Sequence, residues 1–178
     1  DENLRELKIQ LLGSTVGHNL LMLAVDGNHK AIVEILIQLN VFNISEKNDD
    51  LAAIDLAWKK SSYDLVLLLL KSNSIFPINF DISKVPKSHQ LYKFAKICGR
   101  LHFLIASHNL PIKSNIDEIS LILDQNKDVK YFYSYSNLSA SFIALKLRKM
   151  DIFELLRVKN LIIAQSDPEE EILIDFDE

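Results

Sequence analysis

Cys98 is the only thiol in the chain, and the five histidines, His18, His29, His89, His102 and His108, are the other side chains most readily turned to metal binding or catalysis. A cysteine reacts as its thiolate, which needs a neighbouring base or cation. Cys98 instead falls on the stripe Leu91, Phe94, Cys98, Leu101 and Ile105, apolar at helical spacing, which predicts a buried and inert thiol. Metal ligands on a helix must share a face, three or four residues apart; His102 and His108 are six apart and the rest are scattered, so no metal is expected. His89 reads as a surface residue near a helix start. The sequence holds no Gly-rich phosphate loop, no G-x-S-x-G, no H-E-x-x-H and no kinase signature. Neither an enzyme nor a cofactor is expected.

What then must these residues be mounted on? Hydrophobic residues make up 48% of the 178 and charged ones 25%, the profile of a chain that folds. Four glycines and four prolines leave little material for the turns of a sandwich or barrel, so the expected class is all-α. A formal charge of −4 gives no general basic face, and nucleic acid is not an expected partner. The apolar run Leu65 to Leu70 is closed off by Asp64 and Lys71, far short of the ~18 residues of a membrane span, so no membrane partner is expected. A single cysteine excludes an intrachain disulfide and suits a reducing compartment, cytoplasm or nucleus. The opening residues have no signal-peptide pattern and the chain starts without Met, which suggests a piece of a longer protein.

The strongest pattern is internal. Leu21, Leu23, Ala24, Val33, Leu36, Ile37 and Asn40 each match a residue 33 positions later: Ile54, Leu56, Ala57, Val66, Leu69, Leu70 and Asn73. Each unit reads as a short helix, a break and a longer helix, with Gly27 and Asn28 supplying the first break and Ser61 and Ser62 the second. Residues 43–50 read as an exposed connection. A later segment, Ile143, Ala144 and Ile152 to Leu156, lies at a constant offset of 120 from the first unit. A third unit is suggested by the Cys98 stripe, interrupted by Gly99.

The run Gly17 to Val25, followed by Asn28-His29 and Ile32-Val33-Glu34-Ile35-Leu36-Ile37, resembles an ankyrin repeat, whose pattern is G-x-T-P-L-H-x-A, then G-H, then I-V-x-x-L-L. Asn19, Leu20 and Met22 replace the usual Thr, Pro and His, and Asp50 replaces the Gly of the second unit. The resemblance implies stacked helix-turn-helix repeats with irregular insertions: an N-terminal helix or cap over 1–16, a repeat domain over 17–162 with units near 17–49, 50–82, 89–112 and 138–162, and an acidic tail or linker over 163–178. The insertions fall at Ser74 to Ser88, where Pro77 and Pro86 block a continuous helix, and at Lys113 to Asn137, where an added helix precedes Asp124. Leu4, Leu7, Leu11 and Leu12 form an amphipathic stripe, either the closing helix of an upstream unit or a cap.

Such arrays bind proteins through a concave face of loops and first helices. The family's variable positions, carried over residue by residue, are His18 and Asp26 in the first unit and Asn48, Asp49, Leu51 and Lys59 in the second. Trp58 stands where the family has a small residue, and either fills a packing gap or is presented as an anchor. The resemblance therefore implies a scaffold-type protein-interaction module; the alternative is a non-catalytic structural or regulatory domain packed against the rest of a longer polypeptide. Two segments stand apart. Tyr131 to Tyr135 either packs alternate rings on the repeats or presents them to a partner, with packing favoured. Ile172, Leu173 and Ile174, flanked by Glu169 to Glu171, resemble a segment that would bind a SUMO-like protein by adding a strand, although a linker is the simpler reading.

Overall fold

The computed structural model describes residues 20–40, 43–48, 50–72, 74–107, 112–127, 132–134 and 138–159. The chain is mostly helical. Helices α1 (Leu20–Asp26) and α2 (Lys30–Gln38) form one hairpin, and α3 (Ala53–Lys59) and α4 (Tyr63–Lys71) a second. They are followed by α5 (Gln90–Ala106), α6 (Ile112–Gln125), α7 (Ala140–Lys146) and α8 (Met150–Val158). A two-stranded antiparallel ribbon, β1 (Lys47–Asn48) and β2 (Leu51–Ala52), joins the first two hairpins, pairing Lys47 with Ala52 and Asn48 with Leu51. Asp50 in its tip has φ 64°, the left-handed backbone that tight hairpin turns require.

The turns inside three of the helix pairs are the same turn. Asn28, Ser61 and Arg148 have φ 55°, 57° and 54°. The N–H of the next residue, His29, Ser62 or Lys149, donates to the carbonyl five residues back, that of Ala24, Ala57 or Ala144, at 2.9 Å in each case. This six-to-one closure with a left-handed residue satisfies carbonyls that a helix end would leave unpaired. His29, Ser62 and Lys149 then open the second helix at φ/ψ of −88/74°, −81/69° and −88/71°. The three copies stand 33 and 120 residues from the first, the offsets of the sequence pattern.

Packing follows the same order. Within each pair the helices lie against each other; α3 packs on α1, α5 on α4, α7 on α5 and α8 on α6. Ala24, Ala57 and Ala144 are all buried, and small side chains there let neighbouring helices approach closely. One continuous apolar core runs from Leu21 to Leu156.

The third pair departs from the sequence expectation. No break occurs at Gly99: α5 runs unbroken for 17 residues. A mid-helix glycine costs about 1 kcal/mol relative to alanine. Burial of Leu91, Phe94, Cys98, Leu101, Leu104 and Ile105 along α5 outweighs that several times over, at roughly 1.5–3 kcal/mol per large side chain. The helix foreseen in the second insertion, α6, lies against α5. Arg100 reaches Glu118 by two bonds of 2.8 and 2.9 Å, and Asn115 Nδ2 donates to the Leu104 carbonyl, so the two helices run antiparallel. The segment 74–89 is extended and turned, as Pro77 and Pro86 require, with a short 3-10 turn at Ile82–Lys84 capped by Asp81.

Candidate recognition surface

The residues proposed for recognition are distributed over the first two hairpins and their ribbon. Asp26 ends α1, and its carboxylate meets Lys60 Nζ at 2.6 Å while its carbonyl accepts a second bond from the same ammonium. Lys59 ends α3 and is exposed. Leu51 is half-buried in β2, and Asn48 is its backbone partner in the ribbon. His18 and Asp49 lie outside the described residues, as do Ile172, Leu173 and Ile174 of the tail and the residues 1–16 of the expected cap.

Trp58 is half-buried. Its ring sits 4.9 Å from Phe80 and 5.9 Å from Tyr63, and Phe80 lies 4.7 Å from Phe76, all in the range of attractive aromatic pairs. Tyr63 completes the cluster by donating its hydroxyl to the Lys84 carbonyl at 2.9 Å. The first insertion is thus folded onto the second hairpin by aromatic rings, with Trp58 at the seam.

Residues that sequence reasoning passed over do much of the joining. Lys60, in the turn of the second hairpin, ties it to the end of α1. Lys149, in the turn of the last hairpin, donates to the carbonyls of Ile105 and Ser107 at 2.5 and 2.7 Å and so closes the end of α5. Desolvation lowers the pKa of this ammonium. Both lysines do the same thing: a cation in one hairpin's turn satisfies the carboxyl end of a neighbouring helix, where the macrodipole favours positive charge. Apart from the Asp26 carboxylate, their partners are backbone carbonyls, which carry no mark in the sequence.

Asp55, buried in the first turn of α3, accepts from the Ala52 N–H at 2.9 Å and from the Ile78 N–H at 2.6 Å. It holds the start of α3 and the first insertion with one carboxylate. His89 caps α5, its Nδ1 accepting from the Leu91 N–H at 3.0 Å. In the aromatic run, Phe132 is buried and stacked on Phe94 at 6.5 Å, while Tyr131 and Tyr135 lie outside the described residues.

No family model, curated protein or solved structure matches this chain. The chemistry of its side chains therefore has to be read from the fold alone. Cys98 is fully buried, and burial pushes its thiol up to about 12. We expect a thiol reagent at pH 8 to leave the native chain unlabelled and to label it stoichiometrically in denaturant; mass measurement before and after unfolding checks this.

His102 is also buried. Its Nδ1 lies 2.7 Å from the Cys98 carbonyl, which can only accept, so Nδ1 carries the proton of the neutral ring. Nε2 is buried with no hydrogen-bond partner within bonding distance among the described residues. Burial lowers the pKa below 6.5, outweighing the weaker pull of the backbone at Cys98, Leu138 and Phe132. The unfolded chain therefore binds a proton near pH 6.5 that the folded chain refuses until lower pH. Stability is insensitive to His102 above that value and declines as pH falls through the interval below it. Urea midpoints measured from pH 7.5 to 5 should drop more steeply in the parent than in His102→Gln, and equal slopes would refute the assignment.

Among the described residues no helix is long and apolar enough to cross a membrane, and no three His, Cys, Asp or Glu side chains converge as metal ligands would.

Proposed function

We propose that this chain is a protein-recognition module built as a degenerate ankyrin-like repeat array, binding a partner through the face formed by the ribbon and the ends of α1 and α3. The observation that carries the reading is the identical left-handed turn at Asn28, Ser61 and Arg148. A turn recurring at the sequence offsets is a mark of stacked units, and stacked units present an extended side to other proteins. On this reading Asp26, Leu51 and Lys59 contribute charge and apolar area to the partner, with Trp58 packed behind them.

The test is capture of protein partners from cytosolic and nuclear extract by the intact chain and by a variant carrying Asp26→Lys, Lys60→Asp and Lys59→Glu. The first two changes exchange the charges of the ion pair and give up the bond from Lys60 to the Asp26 carbonyl, so unfolding of the variant is measured beside its capture, while Lys59→Glu reverses the charge at the end of α3. A protein retained by the parent and lost at least tenfold by an equally stable variant supports the reading; equal capture by both, or none by either, opposes it.

A second reading has its own observation. Ile32 and Ile35 on α2 and Leu39, which caps its end, are 45%, 54% and 56% exposed, one stripe at helical spacing. Apolar exposure on the outer helix of the first hairpin is what stacking against a further unit would use. On that reading the chain is a non-catalytic structural or regulatory domain packed against other parts of a longer polypeptide, and Ile35→Glu would disturb that packing while leaving the Asp26 face intact.

A further inference from the structure

The chain carries a net charge of −4, yet residues 82–116 contain six basic residues, Lys84, Lys87, Lys93, Lys96, Arg100 and Lys113, and no Asp or Glu. Three of these ride on α5, where the spacing of Lys93, Lys96 and Arg100 sets them on one exposed side of the helix. Tyr92 and the exposed ring of Phe103 share that side; Lys96 Nζ is 5.9 Å from the Tyr92 centroid and the Arg100 guanidinium 5.6 Å from that of Phe103. Arg100 is already held by Glu118 of α6, but Lys93 and Lys96 enter no ion pair among the described residues. The outer side of α5 is therefore a strip of cations alternating with rings, bordering α6, in which Lys93 and Lys96 have no ion-pair partner among the described residues.

Residues 167–178 have the complementary composition, seven carboxylates around Ile172, Leu173, Ile174 and Phe176, with no basic residue. We propose that this acidic segment lies over the α5 strip of its own chain, its carboxylates on Lys93 and Lys96 and its apolar residues on Tyr92 and Phe103. The end of α8 places it within reach. Lys159 is anchored to Asp124 of α6 at 2.6 Å. The antiparallel pairing of Arg100 with Glu118 brings Asp124, six residues further along α6, level with Phe94 of α5, at about 1.5 Å of rise per residue in both helices. Packed helices lie about 10 Å apart. The seven residues between Lys159 and Asp167 span up to about 23 Å, enough to cross from α6 to the strip.

A tether this short gives an effective concentration near the millimolar range, so individually weak exposed pairs hold the segment in place. A separate polyanion would have to compete against that concentration on a chain whose overall charge repels it. The inference does not depend on the recognition reading above, because it concerns a different helix and an occupant within the chain.

The test is zero-length carbodiimide coupling of the full chain at low ionic strength, with peptide mapping, run on an equimolar mixture of unlabelled and nitrogen-15-labelled protein. Amide links from Lys93 or Lys96 to Glu169, Glu170 or Glu171, found in peptide pairs of one isotope only, are the expected result. Their yield should fall about fivefold in 0.5 M NaCl, as screening of surface pairs requires, and in the exposed-site variant Lys93→Gln/Lys96→Thr the links from the tail to Lys84, Lys87 and Lys113, summed, should fall as well because the segment is released. Links of mixed isotope would overturn the intramolecular reading. So would links from the tail to other lysines with none to Lys93 or Lys96, and so would a yield indifferent to salt. Circular dichroism of the variant, whose changes are confined to solvent-facing side chains, confirms that a loss does not reflect unfolding.

Discussion

Asp55→Ala should destabilise the chain by about 3 kcal/mol, since each of the two hydrogen bonds to its carboxylate is worth roughly 1.5–3 kcal/mol and both donors would be left without it. The Ala52 N–H is one of the orphan donors at the start of α3, and alanine at the cap position has no side-chain acceptor to replace the lost bond. The Ile78 N–H belongs to a different segment, 23 residues along, in a turn where Asn79 adopts φ 62°. Its loss should loosen the fit of Phe76 and Phe80 against Trp58. Asp55→Asn keeps one acceptor oxygen and should recover part of the difference. Trp58 is the only tryptophan, so its emission reports this seam directly. Urea titrations followed by Trp58 emission and by helical dichroism decide the matter: a shift under 1 kcal/mol for the alanine variant would show that water or a neighbouring carbonyl readily substitutes for the carboxylate.

Phe132→Ala should cost as much or more, about 3–5 kcal/mol, the usual cost of emptying a buried aromatic site. Phe132 is 2% exposed, stacks on Phe94 and hands its carbonyl to the Ala140 N–H at 2.9 Å, just where α7 begins. Tyr133 pairs with Ser139, and Ser139 Oγ accepts from the Phe142 N–H at 3.2 Å to cap the same helix. Removing the ring should therefore weaken the attachment of α7 and α8 to α5 beyond the lost area alone. Phe132→Leu refills most of the space and should lose less than half as much. Thermal melts of the three proteins give the ranking, and an alanine variant as stable as the leucine one would mean that the backbone pairing, not the ring, holds the segment.

The repeat pattern was legible because it is a matter of spacing. Ala24, Ala57 and Ala144 stand at fixed offsets in the sequence, and the structure places each at the same point before the same turn. Helical character followed from the apolar periodicity of the same segments. Gly99 misled because a local propensity of about 1 kcal/mol was set against burial that only the assembled core reveals. Asp55 was invisible for a related reason: one of its partners is Ile78, whose nearness depends on how the first insertion turns back. Lys60 and Lys149 bond to carbonyls, and every residue has one. In the aromatic run, Phe132 is on the packing side foreseen for alternate rings. For the recognition face, spacing indicates which residues are candidates, whereas the Asp26–Lys60 pair and the Trp58 cluster depend on two segments meeting in space.

The recurring turn has a consequence for how such a chain changes over time. Its left-handed position is filled by Asn, Ser and Arg, never by Gly, at a cost of about 1 kcal/mol for the residues with a full side chain. That penalty is small beside the burial on either side, so selection has little purchase on which residue stands there. The backbone angle is kept by the two helices it connects, while the letter at the turn is free to drift. A lineage built on such turns can lose its written signature long before it loses its shape.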